Sequence, residues 1–491
     1  MSNVDILIVG AGPTGLGAAW RLSALGHAGW RLCERGTHAG GLAGSIVDEH
    51  GFTWDFGGHV QFSHYQYFDD LMDELLGPEG WLYHERESWI WLRDRFVPYP
   101  FQLNLHRLSE PDQAACVRGL ISAAIANILP CPPPSPPCLP RPHAGERPFS
   151  EWIDTTFGSG IGNLFLRPYN WKVWAYPLET LSSQWVGDRV ATVDLARVVK
   201  NIAAAKDDVS WGPNNQFRFP RRGGTGAIWR ALAEQLQRKH PSRFSYGTTI
   251  SRIDVRARRA WTLEGETIDY RAMLSTIPLD ELVRIAGLSS ELSAAAANLK
   301  YSSTHVIGVG LHGSPPPALA GKCWMYFPES NSPFYRVTVF SHYSPHNVPD
   351  IRRFWSLMAE VSESPVKPVD VAKLSREVID GMVVTGLIPS RDSVHHVWQR
   401  RLEHGYPTPS HHRDRALADI QPVLASHRIF SRGRFGAWKY EVSNQDHSFA
   451  QGVECVDCLL GIGDEDTLNR PEHVNRRRST PRRLVAPQLT H

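Results

Sequence analysis

Apolar residues run almost continuously through Val4, Ile6, Leu7, Ile8 and Val9, then change to helical spacing at Leu16, Ala18, Ala19, Leu22 and Leu25. A short continuous run predicts a strand buried on both faces of a parallel sheet, and the 3.6-residue spacing predicts an amphipathic helix after it. Between the two lies Gly10-Ala11-Gly12-Pro13-Thr14-Gly15, and Gly26 follows the helix where a C-terminal cap is expected. In such a unit Gly10 makes the turn, Gly12 lets the backbone approach a pyrophosphate, and Gly15 lets helix and strand pack closely. The helix N-terminus then faces the anion. A lone glycine motif of this kind is a weak signal. A second short strand at 30–33, ending at Glu34, supplies an acid about 20 residues on, where a ribose hydroxyl needs an acceptor. Strand, helix and acid in this order predict a dinucleotide-binding α/β unit.

Further along, Gly40-Gly41-Leu42-Ala43-Gly44 and the stretch 52–58 before His59 suggest backbone running close against a large planar ligand. Residues 67–76 read as an amphipathic helix and 88–100 as an aromatic, strand-prone segment. Residues 111–129 are helical in pattern, the proline-rich stretch 130–148 cannot be, and helical periodicity resumes at Phe149. A helical insertion over 103–205 is therefore expected, with the proline-rich stretch as an exposed loop. The loop 217–226 leads into another helix and is a candidate second contact to cofactor phosphates or ribose. Residues 250–270 predict a β-meander, 273–278 a strand returning to the first sheet, and 304–397 an antiparallel sheet. The polar, glycine-rich stretch 431–446 leads into a last helix, whose N-terminus would place amides and a positive dipole end beside a flavin.

Length and composition narrow this picture. A chain of 491 residues exceeds one hydrophobic core, so two or three structural units are expected. Lys and Arg number 52 against 50 Asp and Glu, which gives no global reason to expect nucleic acid or an anionic membrane as partner. No apolar stretch reaches a membrane-spanning length of about 18 residues and the N-terminus carries no leader pattern, so a cytoplasmic location is expected. The basic cluster at Arg476, Arg477, Arg478, Arg482 and Arg483 reads as a solvated end. Seven scattered cysteines argue against a disulfide framework. Cys455 and Cys458 form a CxxC in a helical pattern without a second ligand pair, so they read as buried thiols, and no metal site is expected.

Nine stretches together resemble one family, the eukaryotic-type UDP-galactopyranose mutases. They are GAGPTGLGAA at 10–19, GGHVQFSHY at 57–65, VPYPFQ at 97–102, RPYN at 167–170, FRFP with RGGTG over 217–226, YSSTHVIGVG at 301–310, KCWMYFP at 322–328, SRGRFG at 431–436 and YEVSNQDHS at 440–448. The resemblance implies a glutathione reductase/amine oxidase type of α/β fold. In it, an FAD-binding Rossmann-like domain would use residues 1–88, 212–295 and 426–491. A helical uridine-binding domain would span 103–205, and an antiparallel sheet domain 89–102 and 300–425. It also implies an isomerase that interconverts UDP-galactopyranose and UDP-galactofuranose. Tightly held FAD is reduced by NADPH, and flavin N5 bonds to galactose C1 as UDP departs, with no net redox change. The family includes monomers and larger assemblies.

Carried residue by residue, the resemblance assigns Arg189 and Arg336 to the diphosphate and His59 to the flavin's neighbourhood. Tyr99, Tyr326, Tyr343, Tyr406 and Tyr440 match diphosphate-site tyrosines. Gln102, Phe165, Tyr169, Asn170 and Trp174 match the uridine pocket, and Asn214 and Trp324 face the galactose. Gly10, Gly12, Pro13, Thr14, Gly15, Glu34, Gly41, Leu42, Gly57, Gly58, Asn444, Gln445 and Asp446 would hold the cofactor. Ser443 stands where a glycine is expected beside the flavin, and Ser210 where an asparagine is expected near the sugar. Two other readings share the glycine units: a flavin amine oxidase or desaturase, and a flavin-free binding module of the GDP dissociation inhibitor type. Two arginines with five tyrosines favour an anionic diphosphate over an apolar substrate. Glu34, the GGTG unit and the NQDH approach to the last helix favour a retained cofactor. No GxSxG or GxxxxGK[ST] occurs, which removes support for a serine hydrolase or a phosphate-loop NTPase.

Overall fold

The strand Ser2–Val9 sits inside a parallel sheet because both of its faces are covered. Ile6 and Ile8 pack with Leu16, Ala19, Trp229 and Phe449, while Leu7 and Val9 pack with Leu282, Leu417 and Ile420. This two-sided burial is why the strand reads as an unbroken apolar run. A computed structural model describes residues 2–128, 147–192, 194–209 and 216–477 of the chain. Along the sheet, Phe244–Ser245, Trp30–Cys33, Ser2–Val9 and Thr267–Ser275 pair in parallel in that order. The long strand Thr267–Ser275 takes the antiparallel meander on its first half and the parallel strand Ile429–Ser431 on its second half. Helices Pro13–Ala24, Gly226–Lys239 and Gln445–Leu459 cover one face, and Leu279–Ile285 and Arg413–Ser426 cover the other.

A second sheet runs in the order Val394–Pro407, Tyr301–His312, Phe354–Glu363, Arg336–Val339, Trp324–Tyr326, Ser88–Leu92, Arg95–Pro98. Its pairings are antiparallel with one exception: Trp324–Tyr326 and Ser88–Leu92 run parallel. Ser88–Leu92 reaches the sheet from a distant part of the chain, so no hairpin dictates its direction. The helical unit packs Glu110–Ile128, Phe149–Ile161, Arg167–Trp174 and Leu195–Ala204 around Phe101, Phe157, Phe165 and Trp174.

Three expectations change. The sheet expected to be antiparallel contains the parallel pair just described. The helix Arg413–Ser426, expected within the sheet unit ending at 425, packs instead on the first sheet through Ala416, Leu417, Ile420 and Leu424. Of the CxxC pair, Cys455 is buried and Cys458 is exposed at the last helical turn. Residues 130–146 of the proline-rich stretch, Ser210 and Asn214, and the basic residues beyond Arg477 lie outside the described residues.

One ion pair ties the helix Arg413–Ser426 to the turn that carries Tyr440. Arg413 donates to both Glu441 oxygens at 2.9 and 3.1 Å with only 3% of its side chain exposed. Asp414 also accepts from Arg413 Nε at 2.8 Å, so removing Glu441 leaves that charge partly compensated and costs less than the ~3–5 kcal/mol of a fully unpaired buried ion. Glu441→Ala is therefore expected to lower the thermal unfolding midpoint clearly, and an unchanged midpoint would contradict this role.

Candidate functional site

The first glycine turn has no room for side chains. A Cβ on Gly15 would lie 1.9 Å from the Gly10 carbonyl oxygen, and one on Gly10, at φ +103°, would lie 2.0 Å from Thr276 Oγ1. Pro13 opens the helix, where its fixed φ is pre-set and its missing N–H costs nothing. Thr14 is buried under Gly433, a Cβ on Gly41 would lie 3.2 Å from the Gly12 Cα, and Leu42 packs on the second core face. At the end of its strand Glu34 accepts the Ala11 and Gly36 N–H groups, each at 2.7 Å, one on each oxygen. Each oxygen keeps lone pairs for a ribose hydroxyl. The cradle therefore fits an adenine dinucleotide whose pyrophosphate lies against the helix start.

At the far end the helix Gln445–Leu459, expected to be the last but followed by two short helices, begins with Asn444 as its N-cap residue. Gln445 accepts from Trp229 Nε1 at 2.8 Å, and Asp446 accepts from the His64 backbone N–H at 3.0 Å and pairs with His64 Nδ1 at 2.7 Å. Those side chains are engaged within the protein, so the helix start offers a flavin its backbone N–H groups and positive dipole end. Ser443, where glycine was expected, has φ −121°, a conformation open to any residue. The departure therefore costs no backbone strain.

The second sheet and the loop at Gly58 meet over one buried carboxylate. Glu360, 1% exposed, accepts from Arg336 Nε at 2.9 Å and Nη2 at 2.8 Å, from Tyr335 Oη at 2.6 Å and from the Gly58 N–H at 2.9 Å. Burial alone would raise its pKa, but Arg336 and these donors hold it below the ordinary carboxylate range. Burial likewise disfavours the Arg336 charge, and Glu360 more than restores it. Arg189 donates to the Glu441 carbonyl at 2.7 Å and lies 4.9 Å from the Tyr440 ring centre, while its Nε is buried without a partner among the described residues. A third guanidinium, Arg434, lies 4.8 Å from the Tyr406 ring and donates to Ser443 and to the Gly405 carbonyl. Burial lowers the Arg434 pKa, and its charge is felt by His59 and Tyr406.

Aromatic rings surround these cations. Tyr326 lies 5.6 Å from Tyr99 and 5.2 Å from Tyr169, and Tyr440 lies 4.9 Å from Trp174 and 6.0 Å from Tyr406. Tyr169 stacks on Phe165 at 5.3 Å, while Trp324 Nε1 donates to Tyr326 Oη at 2.5 Å. Asn170 accepts from Trp174 Nε1 at 3.2 Å, and Gln102 donates to the Ala191 carbonyl at 2.5 Å with its Oε1 left unpartnered among the described residues. Tyr343 lies behind this ring, packed against Phe217, Phe219 and Phe340. Tyr335, Glu360 and Arg434 were not singled out from the sequence. The available signal for Glu360 is an acid set between apolar residues within FWSLMAEVSE, ahead of Glu363 at the strand end; for Arg434 it is its place within SRGRFG.

His59 follows Gly57, at φ +129°, and its Nδ1 is buried without a partner among the described residues. Burial, with help from Arg336 and Arg434 against the opposing pull of Glu360, pushes its pKa down to about 4. The imidazole is thus neutral at pH 7. In the unfolded chain the group titrates near ~6.5. Between about 4 and 6.5 the unfolded state therefore binds more protons, and this residue makes stability fall as pH is lowered through that window. His59→Gln is expected to lose less stability than the parent between pH 6.5 and pH 4; parallel stability curves would contradict the neutral assignment.

Residues 8–75 match the family model described as NAD(P)-binding Rossmann-like domain, and residues 149–379 match flavin containing amine oxidoreductase. Among solved structures the chain is similar to a reduced UDP-galactopyranose mutase, at 47% identity over 98% of this chain and 99% of that one, with a TM-score of 0.90. It is also similar to a putrescine oxidase bound to putrescine, at 15% identity over 94% and 99% of the two chains and a TM-score of 0.63. A CLA-producing fatty acid isomerase from P. acnes aligns at 14% identity over 93% and 98%, with a TM-score of 0.60. The last two share the FAD-dependent oxidoreductase fold alone. With 47% identity along nearly its whole length, the chain belongs to the UDP-galactopyranose mutase family.

Proposed function

We propose that this protein interconverts UDP-galactopyranose and UDP-galactofuranose. The observation that carries the reading is the convergence of Arg189, Arg336 and Arg434 within one ring of tyrosines, next to the Phe165–Tyr169 stack. Guanidinium forks match phosphate oxygens and stay charged, and aromatic faces suit a uracil ring. A cationic amine substrate would instead be repelled by three guanidiniums.

FAD, once reduced by NADPH, would supply a nucleophile for the anomeric carbon of galactose, with no net redox change over the cycle. This chain's residues do the rest. Arg189 and Arg336 stabilise the diphosphate as negative charge develops on it and keep it in place for its return. Arg336 is already aligned by Glu360, so little reorganisation is needed at that moment. Tyr99, Tyr326, Tyr406 and Tyr440 offer hydroxyls to phosphate oxygens and, with Trp174, exclude water from the reacting carbon. Neutral His59 accepts or donates a single hydrogen bond beside the flavin without adding charge.

Two measurements follow. Protein reduced with NADPH should convert UDP-galactofuranose to the pyranose form, followed by chromatography, and equal turnover by the oxidised protein would overturn the proposal. Arg336→Ala should lower kcat/KM by roughly 30-fold to several thousand-fold, the equivalent of about 2–5 kcal/mol for a desolvated charge contact. Retained flavin content would show that the variant is folded, and unchanged kcat/KM would remove Arg336 from the site.

A further inference from the structure

Four histidines gather far along the second sheet from the arginines, at its junction with the hairpin formed by Ser45–Val47 and Thr53–Asp55. His50, on the hairpin turn, lies 3.9 Å from His396 and 5.6 Å from His395, ring centre to ring centre. His395 is 4.7 Å from His312. Glu49, His50 and His396 each offer one ligand atom, and these three atoms lie within 4.8 Å of one another. We propose that Glu49, His50 and His396 bind a divalent transition metal of the zinc type.

The donor set selects the class of ion. Two imidazoles and one carboxylate suit zinc, nickel or copper, whereas calcium and magnesium take oxygen ligands. Bond lengths of about 2.0–2.2 Å in a tetrahedron put donor atoms roughly 3.3 Å apart. The three atoms therefore need to close by an ångström or so, and Glu49 and His50, both exposed, are free to do so. The backbone beneath them is fixed. Asp48 accepts the His50 and Phe52 N–H groups, each at 2.9 Å, and Trp54 Nε1 at 2.7 Å, which locks the turn. Asp48 Oδ2 also lies 3.3 Å from His396 Nε2, close enough to hold that ring's Nε2 side and leave Nδ1 for an ion. His395 and His312 stand next to the three as further imidazoles, and water would complete the open shell.

The ligands come from segments more than 300 residues apart, so no local spacing announces them. A bound ion would clamp the hairpin that leads into Gly57, Gly58 and His59 onto the strand Val394–Pro407 that leads to Tyr406.

The test is a calorimetric titration of zinc chloride into the tag-free full-length protein in a non-chelating buffer. One equivalent is expected to bind with low-micromolar affinity and to raise the thermal midpoint by a few degrees. The His50→Ala/His396→Ala double variant, changed at positions outside the substrate and cofactor sites, should bind at least about 100-fold more weakly and keep its basal mutase activity. No binding by the parent at micromolar zinc would overturn the proposal. So would undiminished binding by the double variant, which would move the ion elsewhere, for example to the buried group His64, Asp446 and His447.

Discussion

The Glu360 carboxylate is the interaction on which the site depends. It sits inside the buried strand Phe354–Glu363 and holds Arg336, Tyr335 and the backbone of Gly58 at once. Arg336 and Tyr335 belong to the neighbouring part of the same sheet, whereas Gly58 belongs to the loop beside His59 that follows the hairpin of Ser45–Val47 and Thr53–Asp55. One buried anion thereby fixes Arg336 relative to the Gly58 loop beside His59, which under the proposed function is the diphosphate's position relative to the flavin. Buried pairs of this kind add little net stability, because desolvation offsets most of the attraction. What they supply is position, and a phosphate-binding guanidinium must be in place before the phosphate arrives.

The same logic recurs around the site. Asp446 holds His64, Glu441 holds Arg413 while its carbonyl accepts from Arg189, and Asn170 holds Trp174. In each case one polar group fixes its neighbour within the protein. The elements that converge come from the first sheet's loops, the second sheet and the helical unit, so the pocket lies where the three pack together.

Much of this was legible in the sequence where chemistry is local. The strand Ser2–Val9, its glycine turn and Glu34 lie within one short segment, and each has a periodicity or spacing that betrays it. Arg189 and Arg336 enter only through motif resemblance, since an isolated arginine carries no signature, and their diphosphate role rests on the proposed function. Glu360 and Tyr335 escaped because their roles exist only once two sheets are packed, and Arg434 escaped although it lies inside a recognised motif. The helix Arg413–Ser426 was placed with the wrong sheet for a similar reason: an amphipathic pattern shows that a face is buried, not what buries it. The parallel pair Trp324–Tyr326 with Ser88–Leu92 was hidden because strand direction is not written in strand composition.

The central claim is that the arginines and tyrosines form a receptor for a nucleoside diphosphate. It is tested most directly by comparing the affinities of UDP and uridine for the parent and for an Arg189→Ala/Arg336→Ala variant that retains its flavin. The parent should prefer UDP by about 100-fold or more, as charge-assisted contacts to a desolvated diphosphate require, and the preference should nearly vanish in the variant. A parent that binds uridine as tightly as UDP, or a variant that keeps the full preference, would contradict the account.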